Sequence, residues 1–149
     1  MNYFIDSNIF LRVIVEEDKK SFSECRDLLQ KIEDGKFRGF SSNIVMAEIV
    51  WVLSSFYKLK KEKILVGLSG IRNLKGLNLV DKFRFDLALR LYSRFQVKFI
   101  DSLIASIPEI SAKAWQVVSY DRDFDKLGVS RVEPDKILHR GVGKDEITP

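Results

Sequence analysis

The segment Tyr3–Phe10, YFIDSNIF, places a carboxylate between two apolar stretches. Its first three residues are typical of a buried strand, and its last three begin the apolar pattern of a helix. Asp6 therefore lies at the predicted boundary between a strand and a helix. The tetrapeptide Phe-Ile-Asp-Ser occurs a second time at Phe99–Ser102. The repeated motif thus places a second carboxylate, that of Asp101, directly behind apolar residues.

Two further acids lie in apolar sequence. Glu48 is the only charged residue between Ile44 and Leu53, and Asp121 follows the segment QVVSY. A carboxylate that is drawn out of water costs free energy unless it is paired or bound to a metal ion. We therefore predict that the fold gathers four acids around divalent cations: Asp6, Glu48, Asp101 and Asp121.

Short apolar runs alternate with helical patterns along the chain. This alternation predicts an α/β fold with three layers, in which helices cover both faces of a mostly parallel sheet of four to five strands. Strands are predicted at Tyr3–Asp6, Phe37–Ser41, Leu77–Val80, Trp115–Ser119 and Val129–Val132. Helices are predicted from Ser7 to Val15, from Ser21 to Gly35, from Asn43 to about Tyr57, from Lys61, from Asp81, from Asp101 and around Ile137. Ligands of such sheets bind beyond the carboxyl ends of the strands.

Several helix boundaries carry specific signals. Ser21, with Glu24 three residues later, has the pattern of a capping box. Asp81 and Asp101 are each predicted to open a helix, because aspartate is a preferred N-cap residue. Pro108 is predicted to kink or end the helix that Asp101 opens, because proline lacks the backbone N–H of a helix interior.

Length and composition favour one domain. The chain has 149 residues, of which 46% are hydrophobic, and we predict a domain at residues 1–139 and a flexible tail at residues 140–149. A single cysteine, Cys25, excludes an internal disulfide and a cysteine metal cage. No signal-peptide pattern and no apolar run of the ~20 residues of a membrane helix are visible. We therefore expect a cytoplasmic protein without a membrane partner, and the net charge of +4 favours a polyanionic one.

Each acid also has a simpler explanation. Asp6 and Asp101 would serve as helix caps. A salt bridge to a lysine would account for Glu48, and a polar surface turn would account for Asp121 in DRDFD. These explanations require four separate causes, whereas a shared site requires one.

Four ordered segments resemble the PIN-domain nucleases, in particular the small VapC-type toxins of prokaryotes. They are YFIDSNIF with Asp6, MAEI with Glu48, FIDSLIA with Asp101 and VVSYDRDF with Asp121. The resemblance covers Met1 to about Leu138. Ser119 stands where the family often has threonine, and Asp123 is an alternative to Asp121 as the fourth acid.

The donor types indicate the chemistry. Carboxylate oxygens are hard ligands, so the expected ion is Mg²⁺ or Mn²⁺. With one histidine, His139, and no Gly-rich phosphate loop, the chain gives little support to Ser-His-Asp or Cys-His hydrolysis. Asp6 and Asp101 are predicted to contact the metal, Asp121 to complete the shell or bind a second ion, and Glu48 to orient or deprotonate the attacking water. The residues expected to orient the carboxylates are Ser7, Asn8 and Ser119.

The resemblance implies a metal-dependent endoribonuclease that cuts phosphodiester bonds of single-stranded RNA and leaves a 3′-hydroxyl. It also implies the toxin of a type II toxin–antitoxin pair, a homodimer and a VapB-type antitoxin that blocks the acidic pocket. A non-toxin PIN-domain RNA-processing nuclease and a non-cleaving PIN-like module that binds RNA or protein remain alternatives. Basic candidates for contact with the RNA backbone are Lys58, Lys60, Lys61, Lys63, Arg90, Arg94, Arg122 and Lys126.

Two other acid-dependent classes fit less well. A phosphatase of the haloacid dehalogenase type requires a second aspartate two residues after the first, and Asn8 stands there. A receiver domain pairs acids early in the chain, and this sequence does not.

Overall fold

A five-stranded parallel sheet forms the centre of the computed structural model, which describes residues 1–141. The strand order is β3-β2-β1-β4-β5, and every neighbouring pair is parallel. The predicted fold class is therefore confirmed. The strands are β1 (Asn2–Ile5), β2 (Arg38–Ser41), β3 (Leu77–Leu79), β4 (Gln116–Val118) and β5 (Arg131–Val132).

Nine α-helices lie within the described residues, followed by a 3₁₀ turn at His139–Gly141. Among them, α1 packs against α2 and α3, α2 packs against α9, and α5 packs against α6. The helices are α1 (Ser7–Val15), α2 (Lys19–Glu33), α3 (Asn43–Ser55), α4 (Lys61–Arg72), α5 (Phe85–Arg94), α6 (Phe99–Ala105), α7 (Pro108–Ser111), α8 (Asp123–Lys126) and α9 (Pro134–Leu138).

The central strand explains where the site lies. Tyr3, Phe4 and Ile5 of β1 are all buried, although successive residues of a strand point to opposite faces. Both faces of the sheet are therefore covered, as expected for parallel strands. The chain continues from β1 to β2 on one side, and β4 later pairs with the other side. Asp6 follows β1 at this switch point, which is where such sheets bind ligands.

Three predicted helix starts are wrong, the first two of them at Ser21 and Asp81. The helix assigned to a Ser21 capping box begins two residues earlier, at Lys19, because the Asp18 side chain accepts the Ser21 N–H at 2.9 Å and is the N-cap. Asp81 does not open the next amphipathic helix, which begins at Phe85. Its Oδ1 instead accepts the backbone N–H of Asn43 at 2.9 Å, at the start of α3.

The second Phe-Ile-Asp-Ser copy lies in a helix. The α6 helix begins at Phe99 with Lys98 as N-cap, so Asp101 is the third residue of its first turn rather than its opening residue. The helix ends at Ala105, and Pro108 is the first residue of α7, a position where the missing N–H of proline costs nothing.

Glycine has one clear structural role, at the entrance to β3. Gly76 has φ 81°, and a Cβ atom there would lie 2.6 Å from the backbone oxygen of Ile32. The close approach of α2 therefore requires glycine at this position. Gly67 and Gly70 lie inside α4.

Two further sequence predictions concern the C-terminal tail and membrane-spanning helices. The predicted tail begins in the 3₁₀ turn, and residues 142–149 lie outside the described residues. Within residues 1–141, no helix is both long and apolar enough to cross a bilayer.

Candidate metal centre

The carboxyl ends of β1 and β4 bring distant acids close together. Asp6 directly follows β1, and its backbone N–H donates to the Val118 carbonyl of β4 at 3.1 Å. Asp121 comes three residues after the end of β4. Glu48 approaches from the middle of α3, and Asp101 approaches from the first turn of α6. The structure thus gathers the four predicted acids at one end of the sheet.

Asp6 is buried and fully engaged by donors. Its Oδ1 accepts the N–H of Ser7 at 2.8 Å, so it does cap α1. Its Oδ2 accepts the hydroxyl of Ser119 at 2.7 Å and the amide of Asn8 at 3.2 Å. Burial raises the pKa of Asp6 to about 6, against the opposing effect of these hydrogen bonds. The cap explanation therefore holds for Asp6, and its position at the carboxyl end of β1 leaves a role in the site open as a prediction.

Asp101 is buried without such partners. Its side chain is 1% exposed, and within residues 1–141 no donor reaches its Oδ2. The pKa of Asp101 is raised to about 7, chiefly by burial; Lys98 lowers it, and the negative charges of Asp6, Asp121 and Glu48 add to the increase. A buried oxygen without a donor is costly in a folded protein. A cation would remove that cost.

Asp121 and Asp123 complete an acidic triad with Asp101. One carboxylate oxygen of each residue lies within 4.8 Å of one oxygen of both others. The turn that holds them is fixed by its own hydrogen bonds, because Asp121 N–H donates to Ser119 Oγ at 3.0 Å and Asp123 N–H donates to Asp121 Oδ1 at 2.9 Å. Both alternatives for the fourth acid therefore face the same space.

Glu48 adjoins the triad and is held from two sides. The Ser7 hydroxyl donates to its Oε1, and the Lys98 ammonium lies 3.6 Å from its Oε2. The predicted salt-bridge explanation for Glu48 is therefore partly correct. Its side chain is only 10% exposed, so it faces the site rather than solvent.

Lys98 is the member of the site that the sequence argument did not identify. Its Nζ lies 3.6 Å from Glu48 Oε2 and 4.0 Å from Asp121 Oδ2. Partial burial lowers the pKa of Lys98, but the carboxylates, with Asp101 first, outweigh this effect and raise it above its ordinary value. The available signal was its position directly before the second Phe-Ile-Asp-Ser motif. Of the basic residues proposed from sequence, Lys126 contacts a site acid, Asp123, at 2.9 Å.

The residues present fit a hard divalent cation. The triad supplies only carboxylate oxygens, which are the ligands that Mg²⁺ and Mn²⁺ prefer. The unpartnered Oδ2 of Asp101 is the observation that most favours an ion, because its desolvation is not otherwise compensated. Asp6 and Glu48 border the triad, with Ser119, Asn8 and Ser7 donating to them and restricting their rotation.

Fold and site together define an α/β protein with a carboxylate cluster beyond the ends of a parallel sheet. The PIN domain family profile matches residues 3–129, so the chain belongs to the PIN domain family. It is 28% identical over 130 residues to a VapC ribonuclease of Aquifex aeolicus (strain VF5), which covers 87% of this chain and 95% of that protein.

Two solved structures share the fold. The structure of VapBC2 from Rickettsia felis, bound to a DNA fragment from its promoter, superimposes with a TM-score of 0.62 at 21% identity and covers 89% of this chain and 98% of the matched one. PAE2754 from Pyrobaculum aerophilum gives a TM-score of 0.63 at 15% identity and covers 97% of this chain and all of that one. At these identities the likeness is one of architecture.

Proposed function

We propose that this PIN-domain protein is a Mg²⁺- or Mn²⁺-dependent endoribonuclease that acts as the toxin of a type II toxin–antitoxin pair. The observation that carries the proposal is the triad of Asp101, Asp121 and Asp123, in which Asp101 Oδ2 is buried and accepts no hydrogen bond from residues 1–141. Similarity to a protein named VapC ribonuclease supports the reaction. Similarity to the toxin–antitoxin complex VapBC2 supports the biological setting.

The roles of the acids follow from their surroundings. We propose that Asp101 and Asp121 hold the ion together with Asp6, and that Asp123 joins them or replaces Asp121. Bound there, Mg²⁺ supplies an acidified water at neutral pH and neutralises charge on the phosphate. Glu48 orients the attacking water or takes its proton, because its carboxylate borders the triad while the Ser7 hydroxyl fixes its rotamer.

The hydrogen-bond network around Asp6 keeps its carboxylate in one orientation. Ser119 donates to Asp6 Oδ2, and the Asn8 amide donates both to that oxygen and to Ser119 Oγ at 2.9 Å. The same Ser119 hydroxyl accepts the N–H of Asp121. One side chain therefore links the carboxyl ends of β1 and β4, and it sets the relative position of two proposed ligands.

We propose three macromolecular partners: single-stranded RNA as substrate, a VapB-type antitoxin as inhibitor and a second copy of this chain. The similarity to VapBC2 supports the antitoxin. Exposed apolar side chains support self-association, since Trp51 of α3 is 67% exposed and Phe85 of α5 is 61% exposed. We also propose a cytoplasmic setting, in which the buried thiol of Cys25 stays reduced.

Cleavage of RNA by the purified, inhibitor-free protein tests the proposal. A labelled RNA with single-stranded and paired regions is incubated with Mg²⁺, with Mn²⁺ or with EDTA. We expect cuts in the single-stranded regions that require the ion and leave 3′-hydroxyl ends. Asp86→Asn is the matched control for Asp101→Asn, because Asp86 is an exposed acid in the first turn of α5. Equal cleavage in EDTA, or by Asp101→Asn, contradicts the metal mechanism.

A further inference from the structure

Lys98 has a position that neither the cap geometry nor an ordinary surface ion pair explains. It is the N-cap residue of α6 and makes no side-chain cap hydrogen bond. Its side chain is 57% exposed, yet its ammonium lies over two of the acids, 3.6 Å from Glu48 Oε2 and 4.0 Å from Asp121 Oδ2. Both distances exceed those of a hydrogen bond, so the donors of this ammonium are not committed to either carboxylate.

The carboxylates make the site strongly negative, so an anionic substrate needs a cationic side chain there. Asp6, Glu48, Asp101, Asp121 and Asp123 together carry more negative charge than one divalent cation neutralises. A phosphodiester is itself an anion, so it approaches this cluster only where a cation offsets the repulsion. A lysine ammonium is a compact charge that binds phosphate well.

The other lysine at the site is less available. Lys126 Nζ donates to Asp123 Oδ1 at 2.9 Å and to the Gln96 carbonyl at 3.4 Å. Two acceptors therefore hold this ammonium, whereas the ammonium of Lys98 stands at longer distances from its acids. A phosphate oxygen could therefore approach the Lys98 ammonium without displacing an acceptor as close as those of Lys126.

The surface beside Lys98 offers a path for a nucleic acid. An open pocket of about 690 Å³ extends from Asp123 and Lys98 to the aromatic rings of Tyr92 and Phe95. Tyr92 is 51% exposed and Phe95 is 36% exposed. Exposed rings stack on unpaired bases with little regard to sequence. Because Lys98 lines the same pocket as these rings, a strand with a base stacked there would pass close to its ammonium.

We propose that Lys98 is a catalytic residue that binds the scissile phosphate of the RNA substrate, while the carboxylates hold the metal ion. The inference rests on the proposed nuclease function and deepens it. A divalent ion held by the carboxylates would compete with the ammonium for Glu48 and Asp121, since both are cations. The exposed side chain and uncommitted donors of Lys98 would then allow it to contact the phosphate.

The test compares Lys98→Met, which keeps the length and removes the charge, with Lys98→Arg, which keeps the charge. Lys36→Met is the control, because Lys36 is an exposed lysine two residues before β2, at the amino end of the sheet and so opposite the acids. For each protein, kcat/KM for a single-stranded RNA in Mg²⁺ is measured, and Mn²⁺ binding to the metal-free protein is measured by calorimetry. Neither Lys98 variant loses a capping contact, so both are expected to fold.

Cleavage should fall in Lys98→Met while Mn²⁺ binding does not. We expect Lys98→Met to lower kcat/KM on the order of 10- to 100-fold, as for loss of a charge-assisted hydrogen bond. Mn²⁺ should bind as tightly as in the parent or several-fold more tightly, because a competing cation is gone. Lys98→Arg should recover most of the activity, and Lys36→Met should match the parent in both measurements.

Three results overturn the inference in distinguishable ways. If Lys98→Met keeps kcat/KM within twofold of the parent, Lys98 is only a counter-ion of the empty site. If Lys98→Met loses Mn²⁺ binding together with cleavage, Lys98 holds the carboxylates in place and does not act on phosphate. If the parent cleaves no RNA with any divalent ion, the proposed function itself fails, and the role of Lys98 fails with it.

Discussion

The two copies of Phe-Ile-Asp-Ser differ in secondary structure and in how they satisfy their carboxylates. Phe4 and Ile5 belong to β1, whereas Phe99–Ser102 lies entirely within α6. Asp6 at the end of the strand accepts three hydrogen bonds, and Oδ2 of Asp101 in the helix accepts none from residues 1–141. Four residues therefore do not decide between strand and helix. Their tertiary neighbours do.

The difference separates two ways of keeping a carboxylate inside a protein. Fixed donors compensate the burial of Asp6, so its negative form is partly stabilised without any ion. Asp101 lacks such donors, and burial raises its pKa to about 7, against about 6 for Asp6. Asp6 is thus part of the frame that positions the site, and Asp101 is the group whose energy depends most on a cation.

The largest expected effect is on catalysis and metal binding. We expect Asp101→Asn and Asp6→Asn each to lower RNA cleavage at least ~100-fold, because both carboxylates border the ion. The two variants should differ in Mn²⁺ affinity, which should fall ~100-fold in Asp101→Asn and ~10-fold in Asp6→Asn. Calorimetry on the metal-free proteins gives the comparison, with Asp86→Asn as the unaffected control. A greater loss of Mn²⁺ binding in Asp6→Asn would reverse the assigned roles.

A smaller effect is expected on the stability of the metal-free protein. Because the folded-state pKa values of Asp6 and Asp101 are raised above the ordinary 3.8, the folded state binds more protons than the unfolded state between about pH 4 and pH 7. The free energy of unfolding should therefore fall as pH rises through this range and level off above it. The Asp101→Asn variant lacks one of these two carboxylates and so avoids part of this loss. Its free energy of unfolding at pH 8 should therefore be higher than that of the parent by about 2 kcal/mol.

Urea unfolding in EDTA at pH 4.5, 6 and 8 measures this difference. The advantage of Asp101→Asn should shrink towards pH 4.5, where the aspartate of the parent is protonated in the folded state. Asp86→Asn should follow the parent at every pH, since Asp86 is exposed. A parent protein whose stability rises between pH 4.5 and pH 8 would show that the acids are stabilised by partners and not strained by burial.

Local sequence was sufficient for the sheet and for the acids at strand ends. Alternation of apolar runs with helical patterns predicts the five strands, and Asp6 and Asp121 follow two of them, β1 and β4. The local sequence determined the first residues of the helices less well. Asp18 and Ser21 are both preferred N-caps three residues apart, and the side chain of Asp18 happens to accept the N–H of Ser21. The short-range pattern contains no information that chooses between them.

Contacts between distant elements could not be predicted in this way. The approach of Lys98 to Glu48 joins residues that are 50 positions apart and depends on how α6 packs near α3. The role of Asp81 is similar, because its carboxylate accepts the N–H of Asn43 from another part of the chain. A charged residue in a sequence has many possible partners, and only the packing of the elements selects one.

The position of a bound ion is the most direct test of the proposed metal site. Crystals of the metal-free protein are soaked with Mn²⁺ at pH 8, and anomalous scattering locates the ion. We expect a peak bonded to Asp101 Oδ2, at a distance of about 2.0–2.5 Å, with Asp121 or Asp123 as a further ligand. A Mn²⁺ peak at another place on the protein, with the space between Asp101, Asp121 and Asp123 left empty at saturating Mn²⁺, would contradict it.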